Sequence, residues 1–285
     1  MNIYPRAVAQ PETALSPVTT SAPTMTAQRD SSWQATLLQS FDAISLSEMD
    51  HVALFSRTDT KYVLSEEQLS QALARLTDHY RILEIDGRRL HRYRTLYFDT
   101  PDLTLYRQHH NGWRNRYKVR ERAYADSELA FLEIKHKVAG NTTVKSRMQT
   151  QALNLQIAQD AKPFLRTCYP YQLEELGARL LNTFQRITLV STHRVERLTV
   201  DVGLCFLWND VHTSLTGVAV AEVKQDGRST NSEFARQMRT WGVRATNFSK
   251  YCIGVSMLYP QVKHNNFKPT LRLIDTLMRG DDYVQ

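Results

Sequence analysis

The sequence predicts an α+β fold in which a series of mostly antiparallel strands forms a partly closed β-barrel, with helices inserted between the strands. Two observations and one physical argument favour this fold. Short segments in which polar and apolar residues alternate are separated by turn residues, and other segments begin with a capping serine. Closure of the sheet into a barrel would remove the edges that such a sheet otherwise exposes. Apolar residues make up 42% of the 285 residues, enough for a sizeable core.

Turn and capping signals place the individual elements. Gly140-Asn141 separates two strands, Asp126 and Ser127 lie in the preceding hairpin turn, and Ser65 caps a helix. The predicted strands are Thr58–Leu64, Tyr80–Asp86, Arg92–Phe98, Trp113–Tyr124, Leu129–Val138, Thr142–Gln149, Ile187–Arg194, Glu196–Val202, Leu204–Trp208 and Val218–Lys224. The predicted helices are Ser45–Phe55, one that begins at Ser65, Pro101–Leu105, Leu153–Leu181 with an interruption near Pro170, Asn231–Trp241 and Ser249–Leu258.

The domain organisation follows from composition. Residues 1–32 are rich in Ala, Pro, Ser, Thr and Gln and bury too little apolar surface to offset the entropy of ordering, which predicts a disordered leader. Residues 33–262 are predicted to form one folded domain. Residues 263–285 are predicted to form a polar C-terminal tail.

The charge balance is basic, with 36 Lys and Arg against 29 Asp and Glu and a formal net charge of +7. An anionic partner is indicated, but nucleic acid, a membrane surface and phosphorylated small molecules are not distinguished. Much of the excess lies between Gly112 and Arg147, where nine basic residues face four acidic ones.

Cysteine usage and hydropathy indicate the compartment. Cys168, Cys205 and Cys252 lie far apart with no CxxC, which disfavours a disulfide framework or a zinc cluster and fits a reducing cytosol. No apolar run approaches the ~18 residues of a membrane span, and the N-terminus lacks a secretory pattern. We therefore expect a cytoplasmic protein.

Basic residues alternate along three neighbouring predicted strands. Because side chains of a strand alternate between its two faces, the residues of each row share one face. The rows are Arg116, Lys118, Arg120 and Arg122 on the first strand, Lys135 and Lys137 on the second, and Lys145 and Arg147 on the third. Like charges directly across strands destabilise a sheet, so a concave surface of this kind would need bound anions.

Two interpretations of these rows stay open on periodicity. Periodicity alone favours a solvated outer face of an amphipathic sheet. The opposite face favours a concave basic surface instead, because it is thinly apolar, as on the outside of a barrel that helices cover. Its residues are Tyr117, Val119, Ile134 and Val144.

Eight short motifs, in this order, resemble the VTC domain, the polyphosphate polymerase branch of the CYTH-like triphosphate tunnel metalloenzymes. They are Arg57-Thr58-Asp59-Thr60-Lys61-Tyr62, Leu96-Tyr97-Phe98-Asp99-Thr100, Lys118-Val119-Arg120-Glu121-Arg122, Phe131-Leu132-Glu133-Ile134-Lys135, Val144-Lys145-Ser146-Arg147, Arg197-Leu198-Thr199-Val200-Asp201, Ala221-Glu222-Val223-Lys224 and Ser249-Lys250-Tyr251. The resemblance covers roughly residues 45–258.

The resemblance implies an eight-stranded antiparallel tunnel with helices packed outside. It implies that the tunnel holds ATP or another nucleoside triphosphate, the growing polyphosphate and a divalent cation, Mn²⁺ or Mg²⁺. The implied reaction transfers the terminal phosphate of ATP to a polyphosphate chain and releases ADP. Any membrane protein that exports the product would be a separate partner.

Matching motif positions imply the site residues. The implied phosphate ligands are Lys61, Arg120, Arg122, Lys135, Lys145, Arg194, Arg197 and Lys250. Glu222 is the implied metal ligand, and Glu133 either helps to bind metal or holds the cations in place. Second-rank candidates that share the parity of these ligands are Arg116, Lys118, Lys137, Arg147 and Lys224.

One departure and three alternatives bear on the chemistry. Hydrolytic tunnel enzymes begin with Glu-x-Glu-x-Lys, whereas this chain has Arg57-x-Asp59-x-Lys61, which favours the polymerase over a triphosphate or polyphosphate hydrolase. A non-catalytic domain that binds polyphosphate or inositol phosphates also stays open. Nucleic-acid binding is disfavoured, since only Tyr117 and Tyr124 accompany the basic rows as aromatics.

Isolated histidines and tryptophans have simpler interpretations. His109 and His110 are predicted to lie on the surface rather than to bind metal, because adjacent residues of a helix do not share a face. Trp113 and Trp241 are predicted to pack in the fold.

Overall fold

A computed structural model describes residues 32–50, 57–127, 129–138, 142–151, 153–226 and 232–280. The predicted leader, up to residue 31, and the Gly140-Asn141 turn lie outside these residues. The helices are α1 (Ser32–Gln39), α2 (Leu46–Asp50), α3 (Glu66–Ala74), α4 (Thr104–His110), α5 (Lys162–Cys168), α6 (Glu233–Thr240), α7 (Lys250–Leu258) and α8 (Lys268–Arg279). The strands are β1 (Asp42–Ile44), β2 (Arg57–Ser65), β3 (Tyr80–Leu83), β4 (His91–Asp99), β5 (Arg116–Tyr124), β6 (Ala130–Lys137), β7 (Thr143–Thr150), β8 (Gly177–Ser191), β9 (Glu196–Trp208), β10 (Val211–Ser214) and β11 (Val218–Asp226).

Eight strands form one antiparallel path in the order β2-β11-β9-β8-β4-β5-β6-β7. β10 pairs with β9, and β3 pairs with β8 and carries β1 as a parallel neighbour. The α+β class and the eight-stranded antiparallel sheet are confirmed. Among the described residues no ladder joins β2 to β7, so the two ends of the path are not hydrogen-bonded to each other.

Helices cover one face of this sheet, which we call the convex face. α1, α3 and α6 pack on β2, β11, β9 and β8 through residues such as Leu73 and Phe234. α5 packs on β4, β5 and β6, where Leu165 lies against Val119 and Ile134 in one apolar cluster. The predicted capping of α3 is confirmed by reciprocal hydrogen bonds between Ser65 and Gln68.

α7 packs on the opposite, concave face, and α8 joins the same apolar cluster. α7 shares this cluster with Tyr97, Leu180 and Phe206, which project from this face at one end of the sheet. The approach is close, because a Cβ added at Gly254 would lie 2.6 Å from Phe206 Cδ1 and 2.8 Å from Leu180 Cδ2. The prediction that helices pack outside therefore holds for α1, α3, α5 and α6 but not for α7 and α8.

The predicted helix Leu153–Leu181 is largely wrong. Only Lys162–Cys168 is α-helical, and β8 already begins at Gly177. Both faces of β8 are covered, by α7 on one side and by the convex layers on the other, so its sequence lacks the polar alternation of a half-exposed strand. The start of this strand is therefore hard to recognise.

Three smaller predictions are also corrected. The predicted tail contains α8, whose Ile274 is buried in the α7 cluster, because Leu271, Ile274 and Leu277 recur at helical spacing. His110 is buried and its Nε2 lies 3.0 Å from Asn265 Oδ1, whereas the sequence predicts a surface residue. Trp113 is 54% exposed rather than packed. No helix in the described ranges is long and apolar enough to cross a bilayer.

Candidate functional site

The three predicted basic rows lie side by side on the concave face. In the ladder β5-β6-β7, Lys118 is opposite Lys135, which is opposite Lys145. Directly opposed residues of a sheet share a face, so the predicted common parity is confirmed. On the basic face itself, Arg120 is 8% and Glu133 3% exposed, so the interpretation as an outer solvated face is wrong for β5 and β6. On β7, Lys145 and Arg147 are exposed, and so is Val144 of the opposite face.

The other half of the sheet adds charged residues to the same face. In the register of β2, β11 and β9, Glu222 is opposite Lys61, and Lys224 is opposite both Asp59 and Arg197. Lys61 Nζ lies 2.6 Å from Glu222 Oε1, and Lys224 donates to Glu222 Oε2. Although burial opposes it, the charges of Lys224 and Lys61 hold the pKa of Glu222 well below its usual range.

Glu133 lies at the centre of a second group of cations. Its Oε2 accepts from Arg120 Nε at 2.7 Å, its Oε1 lies 2.6 Å from Lys145 Nζ, and Arg122 Nε is 3.9 Å from Oε2. The side chain is only 3% exposed. Burial raises the pKa of Glu133, but the charges of Arg120 and Arg122 outweigh burial and lower it well below the usual range.

A third group was not identified from sequence. Arg186 Nε and Nη2 donate to Asp201 Oδ1 and Oδ2 at 2.6 and 2.8 Å, and Lys250 also donates to Oδ2. Arg186 was overlooked because the predicted strand begins at Ile187. Asp201 belongs to the quoted motif, and its alternation with Thr199 and Arg197 is the signal that could have placed it on this face.

The two halves of the sheet influence each other electrostatically across the concave face. The charge of Arg120, together with burial, lowers the pKa of Lys135 to about 6, while Glu222 of the other half acts in the opposite sense. Burial lowers the pKa of Lys118, and Arg120 and Lys61 add to this. Ammonium groups are thus held in a surplus of positive charge, which a polyanion would relieve.

The surplus is large. Among the side chains that the structure describes, thirteen basic ones lie on this face or at the α7 terminus, against five carboxylates. The basic residues are Lys61, Arg116, Lys118, Arg120, Arg122, Lys135, Lys137, Lys145, Arg147, Arg186, Arg197, Lys224 and Lys250. The carboxylates are Asp59, Glu133, Asp201, Glu222 and Asp226.

A row of buried polar atoms crosses the same face. Asn182, Thr95 and Arg122 are successive partners across β8, β4 and β5. Among the described residues, Asn182 Oδ1, Thr95 Oγ1 and Arg122 Nε have no hydrogen-bond partner. Buried polar atoms of this kind are normally satisfied by water or ligand, so this row is suited to polar ligand oxygens and hydroxyls.

The N-terminus of α7 joins the site. Ser249 Oγ accepts from Cys252 N at 3.3 Å, as predicted for a cap, and from Lys118 Nζ at 3.0 Å. Tyr251 in the first turn donates to Asp99, which also accepts from the amide of Tyr106 at 2.9 Å. These contacts fix the helix that carries Lys250.

Two predicted ligands have distinct surroundings. Arg194 lies in the exposed turn between β8 and β9, apart from the concave cluster, because the tight connection lets only Arg197 enter the ladder. Arg116 donates from Nε to His109 Nδ1 at 3.0 Å. Burial and the charge of Lys118 lower the pKa of His109 to about 2, so this histidine is a neutral acceptor.

The described residues contain no group of three His, Cys, Asp or Glu that could hold a metal ion. A hard cation such as Mg²⁺ is commonly held by one or two carboxylates together with substrate phosphates. Glu222 fits that arrangement, because incoming phosphates can pair with Lys61 and Lys224 and release its oxygens. Both oxygens of Glu133 are enclosed by Arg120, Arg122 and Lys145.

Residues 56–259 match the family model of the VTC domain. The chain belongs to the VTC domain family. Membership supports a function connected with triphosphates or polyphosphate and agrees with the resemblance carried by the eight motifs. A search of curated proteins gives no match.

Solved structures with similar folds come from several organisms. A candidate adenylate cyclase from Bacillus halodurans is 12% identical, with a TM-score of 0.47 over 72% of this chain and 97% of its own. A candidate adenylyl cyclase from Hippeastrum with a dominant triphosphatase activity is 14% identical, with a TM-score of 0.42 over 70% and 95%. A conserved hypothetical protein from Pyrococcus furiosus is 9% identical, with a TM-score of 0.41 over 69% and 99%.

Proposed function

We propose that this VTC domain is an ATP-dependent polyphosphate polymerase of the cytoplasm, which transfers the terminal phosphate of a nucleoside triphosphate to a polyphosphate chain. The observation that carries the proposal is the convergence, among the described side chains, of thirteen basic ones against five carboxylates on the concave face and at the α7 terminus. Such a face attracts polyanions and strengthens each contact by partial exclusion of water.

The proposed step is an in-line displacement. A terminal oxygen of the polyphosphate attacks the γ-phosphorus and forms the new P–O bond, while the bond from the γ-phosphorus to the bridging oxygen breaks. The electron pair of that bond goes to the β-phosphate of ADP. Arg120, Arg122 and Lys135, which share the concave face, would neutralise charge on the transferred group, which is how proteins mainly accelerate phosphoryl transfer.

Carboxylates have two proposed roles. Glu222 would hold a divalent cation, Mn²⁺ or Mg²⁺, together with substrate phosphates, and that ion would neutralise charge on the phosphates. Glu133 instead positions Arg120 and Lys145 through its two oxygens. Asp201 does the same for Arg186 and Lys250.

Strand β2, which carries the first of the eight motifs, favours polymerisation over hydrolysis. Asp59 and Lys61 lie opposite Lys224 and Glu222, so the cations of β2 and β11 alternate with single carboxylates. Among the described residues no group of three or more His, Cys, Asp or Glu could hold a metal ion, whereas a two-metal hydrolytic centre needs several such ligands.

The proposal is tested by incubating the purified chain with ATP and Mn²⁺ or Mg²⁺ and separating the products by gel electrophoresis. Polyphosphate ladders with matching ADP are expected. Orthophosphate without polymer would indicate a hydrolase, and tight binding of tripolyphosphate without turnover a non-catalytic domain. Either result would contradict the polymerase.

Two variants make the test specific to the concave face. Arg120→Ala removes a charge-stabilising donor and is expected to lower the rate about 10²- to 10³-fold. Arg236→Ala on α6 is the matched control, since Arg236 pairs only with Glu233 among the described residues and is 57% exposed. Equal loss in both variants would show that the concave face is not the site.

A further inference from the structure

Four aromatic rings from four adjacent strands form a continuous row on the concave face. Phe184 of β8 stacks on Tyr93 of β4 with centroids 5.1 Å apart and ring planes 7° apart. Tyr93 lies 5.0 Å from Tyr124 of β5, and Tyr124 lies 6.1 Å from Phe131 of β6. We call these four residues the aromatic row.

The aromatic row belongs to the same face as the phosphate-binding cations. Tyr124 is two residues from Arg122, and Phe184 is two residues from Arg186, so each ring shares the face of an arginine about 7 Å along its strand. The guanidinium carbons of Arg122 and Arg186 lie 5.7 and 5.1 Å from the centre of the Tyr93 ring. The row is not visible in the sequence, because its rings come from different strands.

The two ends of the row differ. Phe184 is 2% exposed and lies beneath Lys250 of α7, whose Nζ is 4.4 Å from the ring centre. Tyr124 and Phe131, at the other end, are half-buried and do not belong to the apolar cluster around α7. Tyr93 is covered by two arginines and a stacked ring. At the outer end, Arg147 of β7 lies over one side of the Phe131 ring, with its Cζ 5.2 Å from the ring centre. Tyr124 and the remaining face of Phe131 are therefore the part of the row that can accept another planar group.

We propose that Tyr124 and Phe131 form a stacking surface for the base of the nucleoside triphosphate whose phosphates lie on the adjacent arginines. This inference rests on the proposed function, because it assigns the nucleoside end of the same substrate. Aromatic side chains stack on any base, so the surface favours nucleotides over inorganic triphosphate without selecting one base.

The test compares two ligands, ATP and inorganic tripolyphosphate, by calorimetric titration of the full chain. Tyr124→Leu and Phe131→Leu are each expected to weaken ATP binding at least about fivefold. Tripolyphosphate, which has no base, is expected to bind as it does to the wild-type chain. Its unchanged affinity also shows that each variant is folded.

Two further variants complete the design. Tyr124→Phe keeps the ring and is expected to retain ATP affinity, which separates stacking from loss of the hydroxyl. Tyr171→Leu removes a 43% exposed ring that packs with Tyr117 on the convex face, and it is expected to change neither affinity.

Each remaining outcome is decisive. Equal weakening of both ligands by Tyr124→Leu and Phe131→Leu would show that the rings only position arginines, and it would overturn the stacking surface. Unchanged ATP binding in both variants would overturn it as well. Failure of the wild-type chain to bind tripolyphosphate would instead contradict the proposed function, and failure to polymerise would leave the binding comparison intact.

Discussion

Asp201 holds Arg186 through two parallel hydrogen bonds, Nε to Oδ1 at 2.6 Å and Nη2 to Oδ2 at 2.8 Å. The carboxylate is 5% exposed and also accepts from Lys250. Burial opposes ionisation, but the charges of Arg186 and Lys250 lower the pKa of Asp201 to about 2. One carboxylate of β9 therefore fixes a cation of β8 and a cation of α7.

Replacement of this carboxylate is predicted to be costly and partly reversible by ligand. Asp201→Asn leaves two buried cations without their counterion, so the free energy of unfolding should fall by about 3 to 5 kcal/mol. Tripolyphosphate should reduce the difference in thermal stability between the wild type and Asp201→Asn, because its oxygens can pair with the same cations. Asp275→Asn, in an exposed pair with Arg279, is the control; a difference that tripolyphosphate does not reduce would argue against a ligand role for Arg186.

Arg186 and Arg194 provide a direct test of where the site lies. Arg186→Ala is expected to weaken tripolyphosphate binding about tenfold or more, since it removes a charged donor from the concave face. Arg194→Ala, in the exposed turn, is expected to change it less than twofold at moderate salt, because surface charges are well screened. Titration of both variants decides the matter, and a larger effect for Arg194 would reverse this assignment.

Glu121 predicts a pH dependence of stability. It is fully buried on the convex side of β5, where its Oε2 accepts from Asn154 N at 2.8 Å. Burial raises its pKa from 4.5 to about 7, and the nearby charge of Asp160 adds to this. The folded state then binds more protons than the unfolded state between these two values, so Glu121 should reduce stability as pH rises through that range.

Glu121→Gln should remove this dependence. At pH 8 the variant is expected to be more stable than the wild type by about 2 to 3 kcal/mol. Each unit by which the pKa of Glu121 is raised on folding is worth about 1.36 kcal/mol, and structural relaxation reduces the total. At pH 5 the two should be similar. Denaturant unfolding at both values measures this, and an equal difference at pH 5 and 8 would exclude titration of Glu121.

The substitution Gly254→Ala has two opposing effects on the free energy of unfolding. Alanine favours a helix by about 1 kcal/mol, but a Cβ here would lie 2.6 Å from Phe206 Cδ1 and 2.8 Å from Leu180 Cδ2. Overpacking should dominate, with a net loss of about 1 to 3 kcal/mol in thermal or chemical unfolding. Gly177→Ala, where the nearest atoms belong to the flexible Arg179 side chain at 3.4 to 3.5 Å, should be nearly neutral.

The basic rows could be predicted from sequence because alternation within a strand needs only the residue order. Lys118, Lys135 and Lys145 were thereby placed on one face, and the ladder pairs them directly. Alternation alone could not show that this face is concave, because it is equally typical of an exposed sheet. The resemblance carried by the eight motifs indicated the concave face.

Contacts between segments that are far apart along the chain could not be predicted from residue order alone. Arg186 was missed because β8 is covered on both faces, so neither its length nor its parity is visible. The aromatic row joins residues up to 91 positions apart, from Tyr93 to Phe184, and depends on register across three ladders. Burial of His110 likewise depends on Asn265, far along the chain.

Among the described residues no ladder joins β2 to β7, and this would give polyphosphate, the proposed substrate, a second role. Lys61 projects from one terminal strand of the path and Lys145 from the other, and neither strand holds its counterpart by backbone hydrogen bonds among the described residues. A phosphate chain that contacts both strands would supply the cross-connection that the backbone lacks. We therefore expect bound polyphosphate to connect β2 to β7 and to help close the site that surrounds it. The distance between the two strands would then depend on the negative charge of the polyphosphate.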